Sequence, residues 1–302
     1  MRLGLSLSSV QLVEDYAAGA QNILNRARVA NEVELDSLTI GDRHATPIPY
    51  YQNVPIIARA MADWDPDRPI GCLFLLALWN PVHAAEQIAT LSCLTNAPFI
   101  VQVGIGSDPG QFRAMGRDIS TRGAATSEAV ELVGKLLAGD TVSSERFGIE
   151  DAQIRPLPPR PVDWWIAGGV TAGLQRAAQL GNGWYADAHI DPADAARKIE
   201  EYRAHCVAAD RPGRAIVRKD VLILRDEAKA NRIGDGLIAS GYRNMSRDAV
   251  AYGSVAQVTE QLGVYKDLGF DDVVIRALMV DEADALETIE LAGAVRQALA
   301  GQ

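Results

Sequence analysis

The stretch Trp164-Trp165-Ile166-Ala167-Gly168-Gly169-Val170-Thr171 decides the fold. Its first four residues form an apolar run of strand length, and an alanine-rich helical segment follows Thr171. An apolar run of this kind marks a parallel strand covered on both faces. The glycine pair lets backbone approach a ligand closely, and the helix start aims free amides and the Thr171 hydroxyl at an anion such as phosphate. A Gly-Gly turn can equally be no more than tight strand-to-helix geometry.

Outward from this stretch, the same strand-then-helix unit recurs. Strand-like segments begin near Leu3, Leu35, Ile70, Phe99, Asp163, Gly183, Ile216 and Asp271, and helical periodicity follows most of them. Leu12, Tyr16, Ile23, Leu24 and Ala27 share one face of the first predicted helix. Eight such units predict an α/β fold, a closed (β/α)8 TIM barrel forming one domain over residues 1–302. A doubly wound open sheet is the alternative. The fourth-to-fifth and seventh-to-eighth strand spacings are long, which predicts insertions there, both covering one mouth of the barrel. Leu157-Pro158-Pro159-Arg160-Pro161 closes the first insertion as a stiff connector rather than a domain linker.

Composition narrows the function classes. A net charge of -10, from 29 basic and 39 acidic residues, disfavours nucleic acid and anionic membrane as partners. The nearest basic cluster, Arg211, Arg214, Arg218 and Lys219, is interrupted and reads as a solvated loop-to-strand edge. No apolar run reaches the roughly 18 residues of a membrane span. The first residues enter a strand pattern with no cleavage site, so no secretory signal is expected. The 3 cysteines and 4 histidines show no metal-ligand spacing. Reduced thiols in a cytoplasmic protein are the expectation.

In such a barrel the active site lies at the carboxyl ends of the strands. Polar and glycine residues gather there, as a pocket requires, although loops are polar in any case. Asp42-Arg43-His44 combines a carboxylate, a fixed cation and an imidazole, the best acid/base cluster in the chain. A structural Asp–Arg pair is an equal reading of it. Gly104, Gly106 and Gly110 lack the spacing and the distant acidic partner of a dinucleotide fingerprint, so close packing of a cofactor ring is the better reading. Asp187, His189 and Arg276 stand at later strand ends.

Taken together, these segments resemble the luciferase-like family of flavin and deazaflavin oxidoreductases. The likeness rests on Asp36 to Arg43, Asn80-Pro81-Val82 with Glu86 to Leu91, Val103 to Gly106 with Arg122-Gly123, Pro161 to Trp184, and Gly253-Ser254 through Asp271. The resemblance implies FMN or coenzyme F420 as cofactor, its ring across the barrel mouth, a small organic substrate and a homodimer. It places an unusual cis peptide at Leu73-Phe74 under the ring, with Gly104, Gly106 and Ser107 bordering it. Gly168, Gly169, Val170 and Thr171 would meet the phosphate, while Tyr50, Trp79 and Trp184 would line the substrate pocket. The implied chemistry is hydride transfer with F420 or oxygenation with reduced FMN. A non-catalytic flavin-binding barrel is the alternative. Two departures stand out: Arg43 occupies the place where the family commonly has histidine, with His44 one residue later, and Ser107 stands where flavin-binding members have an arginine. The second favours the deazaflavin.

Overall fold

The computed structural model describes residues 1–278 and 280–301. Eleven strands are formed among the described residues: β1 Arg2–Leu7, β2 Leu38–Ile40, β3 Ile70–Phe74, β4 Ile100–Val103, β5 Val142–Ser144, β6 Ile149–Ala152, β7 Asp163–Ala167, β8 Gly183–Ala186, β9 Ala215–Ile223, β10 Val250–Gly253 and β11 Asp272–Ala277. Eight of them, β1, β2, β3, β4, β7, β8, β9 and β11, pair in parallel and close on themselves through β8–β9 and β11–β1. The chain is a closed (β/α)8 barrel. The antiparallel hairpin β5–β6 stands apart, and β10 extends the sheet along the upper half of β9.

The helices are α1 Tyr16–Glu32, α2 Asn53–Ala60, α3 Pro81–Ser92, α4 Pro109–Ala114, α5 Arg122–Ala138, α6 Thr171–Leu180, α7 Pro192–Ala208, α8 Glu227–Ala239, α9 Val255–Asp267 and α10 Glu282–Gly301. Their starts follow ordinary capping chemistry. The Asp15, Asn80, Asp191 and Asp226 carboxylate or amide oxygens accept from first-turn amides, and Pro81 and Pro192 sit where a helix needs no donor. The Asp15 cap also corrects the expected register of α1. It starts the helix at Tyr16, so Leu12 lies outside it and is exposed; the buried face is Gly19, Ile23, Arg26, Ala27 and Ala30.

Strand alternation divides the core into two layers. Ile100, Trp165, Tyr185, Ile216 and Val274 meet inside the barrel, whereas Val101, Ile166, Trp184, Val217 and Val273 belong to the shell between strands and helices. Trp165 is therefore an interior plug and Trp164 a half-buried outer residue. Among the described residues no helix is long and apolar enough to cross a membrane.

Both long connections reach the carboxyl-end mouth. The one between β4 and β7, which holds α4, α5 and the hairpin, brings Ser120, Arg122 and Gly123 to the cavity there. The one between β9 and β11, which holds α8 and β10, brings Tyr242 and Arg243 to Asp220. The Leu73–Phe74 peptide is trans, against expectation; the cis bond in the described chain is Arg155–Pro156. The reason is visible in the ladder: β3 keeps regular register with β4 through Phe74↔Val103, so the chain turns only after Phe74.

Candidate functional site

A cavity of about 580 Å3 opens at the mouth, at the ends of β4, β7, β8 and β9. That size falls within the roughly 300–1,000 Å3 of small-molecule sites. Leu73, Gly104, Ile105 and Ala167 give it apolar and backbone walls, and Tyr185, Asp187 and Arg218 close it toward the barrel axis. Toward the rim it is bounded by Gly168, Gly169, Val170, Gly106 and Ser107, and by Ser120, Arg122 and Arg176.

The rim is built for an anion. Helix α6 starts after Val170 with no side-chain cap, which leaves first-turn amides for another acceptor. Arg176, on the same helix, donates from Nε to Ser127 Oγ at 2.7 Å and from Nη2 to the Gly123 carbonyl at 3.1 Å. These bonds fix the guanidinium against α5. Arg122 donates through Nη1 to the Ile119 carbonyl at 2.9 Å, and its Nε is buried without a partner. The sequence assigns neither arginine to the site, although Arg122-Gly123 belongs to the family likeness; they stand at the start of α5 and within α6.

The two glycines of the turn differ in purpose. A Cβ on Gly168 would come within 2.5 Å of the Gly173 backbone, so this glycine serves the packing of strand on helix. A Cβ on Gly169 would find only Lys198 Nζ, at 3.9 Å, so its face is open. The Trp184 indole donates to the Gly168 carbonyl at 2.7 Å and holds the turn from behind. Trp184 is 0% exposed, with its ring against Tyr202 and Phe270, so it supports the turn and does not form a wall of the main cavity. Phe74 is likewise fully buried in the outer shell, on the face of β3 opposite to Leu73, with its ring edge-on to Trp79. Thr171 is exposed at the start of α6 and is not part of the cavity lining.

Asp42, Arg43 and His44 come together beside the cavity rather than in its walls. Buried Asp42 accepts from the Leu75 amide at 2.8 Å and the Trp79 indole at 2.9 Å, both through Oδ2. His44 Nε2 lies 3.2 Å from Asp42 Oδ1, within ion-pair distance but out of hydrogen-bond alignment. Arg43 pairs with Asp108 at 2.9 Å, and the His44 amide donates to Gln111 Oε1 at 2.9 Å. The Asp108 carboxyl is held below the usual range, first by the Gly110 amide and then by Arg43. This trio braces the loop after β2 to β3 and α4. Tyr50, bridged to Val10, stands near Asp42, Arg43 and Arg276, and burial pushes its phenol up to about 12.

Inside the mouth, burial pushes the Tyr185 phenol up to about 12, so it stays a neutral donor. Burial would also raise Asp187, but Arg218 and the bonds from His189 outweigh it and keep the carboxyl below its ordinary value. Of the basic run read as a solvated edge, Arg211 is exposed as expected, but the other three are not solvated edge residues. Arg214 pairs with Asp163 at 2.7 Å and Asp272 at 3.0 Å, Arg218 lines the cavity, and Lys219 is 1% exposed under the outer layer.

A cavity with apolar walls and a cationic, amide-rich rim fits a planar ring carrying a phosphorylated chain, and the Arg122 guanidinium at that rim has a buried Nε without a partner. Over 180 residues the chain is 28% identical to an F420-dependent glucose-6-phosphate dehydrogenase of Amycolatopsis mediterranei (strain U-32). That match covers 55% of this chain and 53% of the enzyme, so it spans about half the length of that relative. Among solved structures, an F420-dependent secondary alcohol dehydrogenase in complex with an F420-acetone adduct superposes with a TM-score of 0.81 at 16% identity, covering 99% of this chain and 98% of that one. The oxygenating constituent of 3,6-diketocamphane monooxygenase from Pseudomonas putida, a type II Baeyer-Villiger monooxygenase in complex with FMN, gives 0.83 at 15% identity, with 99% and 98% covered. At such identities the structures speak for the fold alone. The luciferase-like monooxygenase family model matches residues 1–243, and the chain belongs to that family of oxidoreductases.

Proposed function

We propose that this protein binds a deazaflavin of the coenzyme F420 type in the 580 Å3 cavity and catalyses hydride transfer to or from a small organic substrate. The carrying observation is the two-ended character of that cavity: apolar and backbone walls at Leu73, Gly104 and Ala167, and two arginines with an uncapped helix start at its rim. The ring would lie between Leu73 and Ala167, with its phosphate on the Gly169–Val170 turn, Arg122 and Arg176. The open face of Gly169 leaves room for a chain that continues past the phosphate, as a deazaflavin tail does. A relative that is 28% identical over 180 residues is named for F420.

When bound, the ring supplies the hydride or accepts it. The protein's own residues do the rest. Leu73 and Ala167 exclude water from the ring faces, and Gly104 lets backbone approach it. Tyr185 offers a neutral hydroxyl and Asp187 an ionised carboxylate at the inner end. A homodimer belongs to the same reading and is checked by light scattering.

The deciding experiment is fluorescence-quenching titration with coenzyme F420 and with oxidised and reduced FMN, followed by turnover with and without oxygen. Tight F420 binding with oxygen-independent turnover is expected. Preference for reduced FMN with oxygen consumption would move the reading to a monooxygenase. Binding without turnover across many substrates would make the chain a non-catalytic flavin carrier.

A further inference from the structure

The cavity has a second cationic end, toward the barrel axis. Strand β9 places Ile216 in the barrel interior, so Arg218 and Asp220 share that face, while Lys219 points to the outer shell. On β11, Val274 is interior and Arg276 shares its face. Three guanidiniums therefore converge on the mouth: Arg218 and Arg276 from the barrel, and Arg243 from the connection after α8. One carboxylate, Asp220, stands among them, with 0% exposure.

That carboxylate is fully engaged on one side. Its Oδ2 accepts from Tyr242 Oη at 3.0 Å and from Arg276 Nη2, and Arg243 Nε lies 3.9 Å from it. Arg218 receives nothing comparable. Among the described residues it has no hydrogen-bond acceptor and no ion-pair partner, and its Nε is buried and unpartnered. The other carboxylate at this end, Asp187, takes its hydrogen bonds from the amide and ring of His189, and Arg218 acts on it through charge alone, without a bond. A half-buried guanidinium without an acceptor has lost water and gained no bond in return, a cost that a bound anion would remove. Planar guanidinium matches carboxylate and phosphate oxygens in a two-pronged fork.

We propose that Arg218, backed by Arg276 and Arg243, is the recognition site for an anionic group on the substrate, so that the substrate is a small organic carboxylate or phosphate monoester. The inference rests on the cofactor reading of the cavity. The cofactor's own phosphate is served elsewhere, by Arg122, Arg176 and the start of α6. Asp220 and Tyr242 are positioning groups that hold Arg276, and Arg218 is the group that touches the ligand.

The test uses the full chain saturated with coenzyme F420, or with FMN if that binds instead. Inorganic phosphate and acetate are titrated against it at constant ionic strength, with chloride as the balancing salt and ring fluorescence as readout. Saturable binding of one of the two anions is expected, and it identifies the phosphate or carboxylate class. In Arg218→Gln this binding should weaken about tenfold or more, as loss of a charge-assisted pair does. Cofactor affinity should change less than about threefold, and Arg218→Lys should retain part of the anion binding. Two results would overturn the proposal: no saturable anion binding to the loaded protein, or a loss in Arg218→Gln that falls on cofactor affinity alone. If no cofactor binds at all, the cofactor reading fails separately. Phosphate binding to the bare Arg176→Gln chain, with and without Arg218→Gln, then still decides the anion site.

Discussion

The Trp79 indole and the Leu75 amide donate to the same oxygen of Asp42, at 2.9 and 2.8 Å. One buried carboxylate thereby ties the end of β2 to the turn that follows β3, and this turn stands behind the Leu73 wall of the cavity. The acidic member of the presumed catalytic cluster is thus a structural hinge pin. Replacing it leaves two buried donors without an acceptor, an omission that costs about 1–3 kcal/mol per group. Asp42→Ala is expected to lower unfolding free energy by about 3 kcal/mol in urea titrations and to weaken cofactor binding through Leu73. Asp42→Asn, which keeps one acceptor oxygen, should retain more than half of the stability lost by alanine. A full-stability Asp42→Ala protein with abolished turnover would instead mark Asp42 as a proton carrier.

Arg176 is held in place by Ser127 and Gly123 before any ligand arrives, so its contribution to binding needs little ordering. Arg176→Gln and Arg122→Gln are each expected to weaken cofactor binding by about 10- to 100-fold, or about 1.4–2.8 kcal/mol. Fluorescence quenching gives the numbers. A dephosphorylated ring such as riboflavin should show much smaller losses in the same variants. Equal losses for both ligands would remove the arginines from the phosphate end.

How far the sequence carried these conclusions depended on how local each signal was. The unit Trp164 to Thr171 is legible because strand, turn and helix start lie within a few residues, and its parallel setting follows from the unbroken apolar run. The anionic rim was half legible. Gly169 and Val170 announce it, but Arg122 and Arg176 reach it from two different helices, and only the closed barrel brings them together. Arg218 is not legible as a cavity residue because charges near a strand edge are usually solvated. The corrective signal was present: Ile216-Val217 and Val221 to Leu224 flank Arg218-Lys219-Asp220, so these charges sit inside a strand of a two-sided core. Alternation then sends Arg218 and Asp220 one way and Lys219 the other. The layer that Trp184 and Phe74 enter is not legible either, since large apolar residues on a strand show no sign of which face they take. The cis bond expected at Leu73-Phe74 rested on family likeness alone, and the regular β3–β4 ladder overrides it.

The glycine pair offers a clean separation of packing from binding. Neither Gly168 nor Gly169 has a positive φ, so alanine is not excluded by backbone angle at either position. Gly168→Ala drives a Cβ into the Gly173 backbone at 2.5 Å and is expected to cost about 1–3 kcal/mol of stability, as overpacking does. Gly169→Ala meets nothing closer than Lys198 Nζ at 3.9 Å and should fold with unchanged stability. Any loss it shows will fall on cofactor affinity. Thermal melts and quenching titrations of the two variants decide the matter, and a destabilised Gly169→Ala with intact affinity would remove the turn from the ligand site.

Lys219 makes stability depend on pH in a predictable direction. It is 1% exposed, donates to the Ile190 carbonyl at 2.7 Å and the Ala188 carbonyl at 3.3 Å, and lies 4.8 Å from the Tyr265 ring centre. Burial pulls its pKa down from 10.5 to about 7, against the opposing pull of Asp220 and Asp187. Between these two values the unfolded chain holds a proton at this site that the folded chain has released. Raising the pH removes that disadvantage, so Lys219 contributes a gain in stability from about pH 7 upward that is complete near the unfolded pKa. Below both values the two states are equally protonated and the slope vanishes. The contribution approaches about 1.4 kcal/mol per pH unit in the middle of the window. Urea titrations of the wild-type chain and Lys219→Met at several pH values from about 7.5 to 9.5 isolate it, because other groups titrate alike in both. Methionine also leaves the Ala188 carbonyl without its Lys219 donor and the Ile190 carbonyl with the Tyr265 hydroxyl alone, which lowers stability at every pH and shifts the intercept rather than the slope. The wild-type slope should exceed that of the variant; coincident slopes would show that the ammonium stays charged in the fold, held by its two carbonyls and the Tyr265 face.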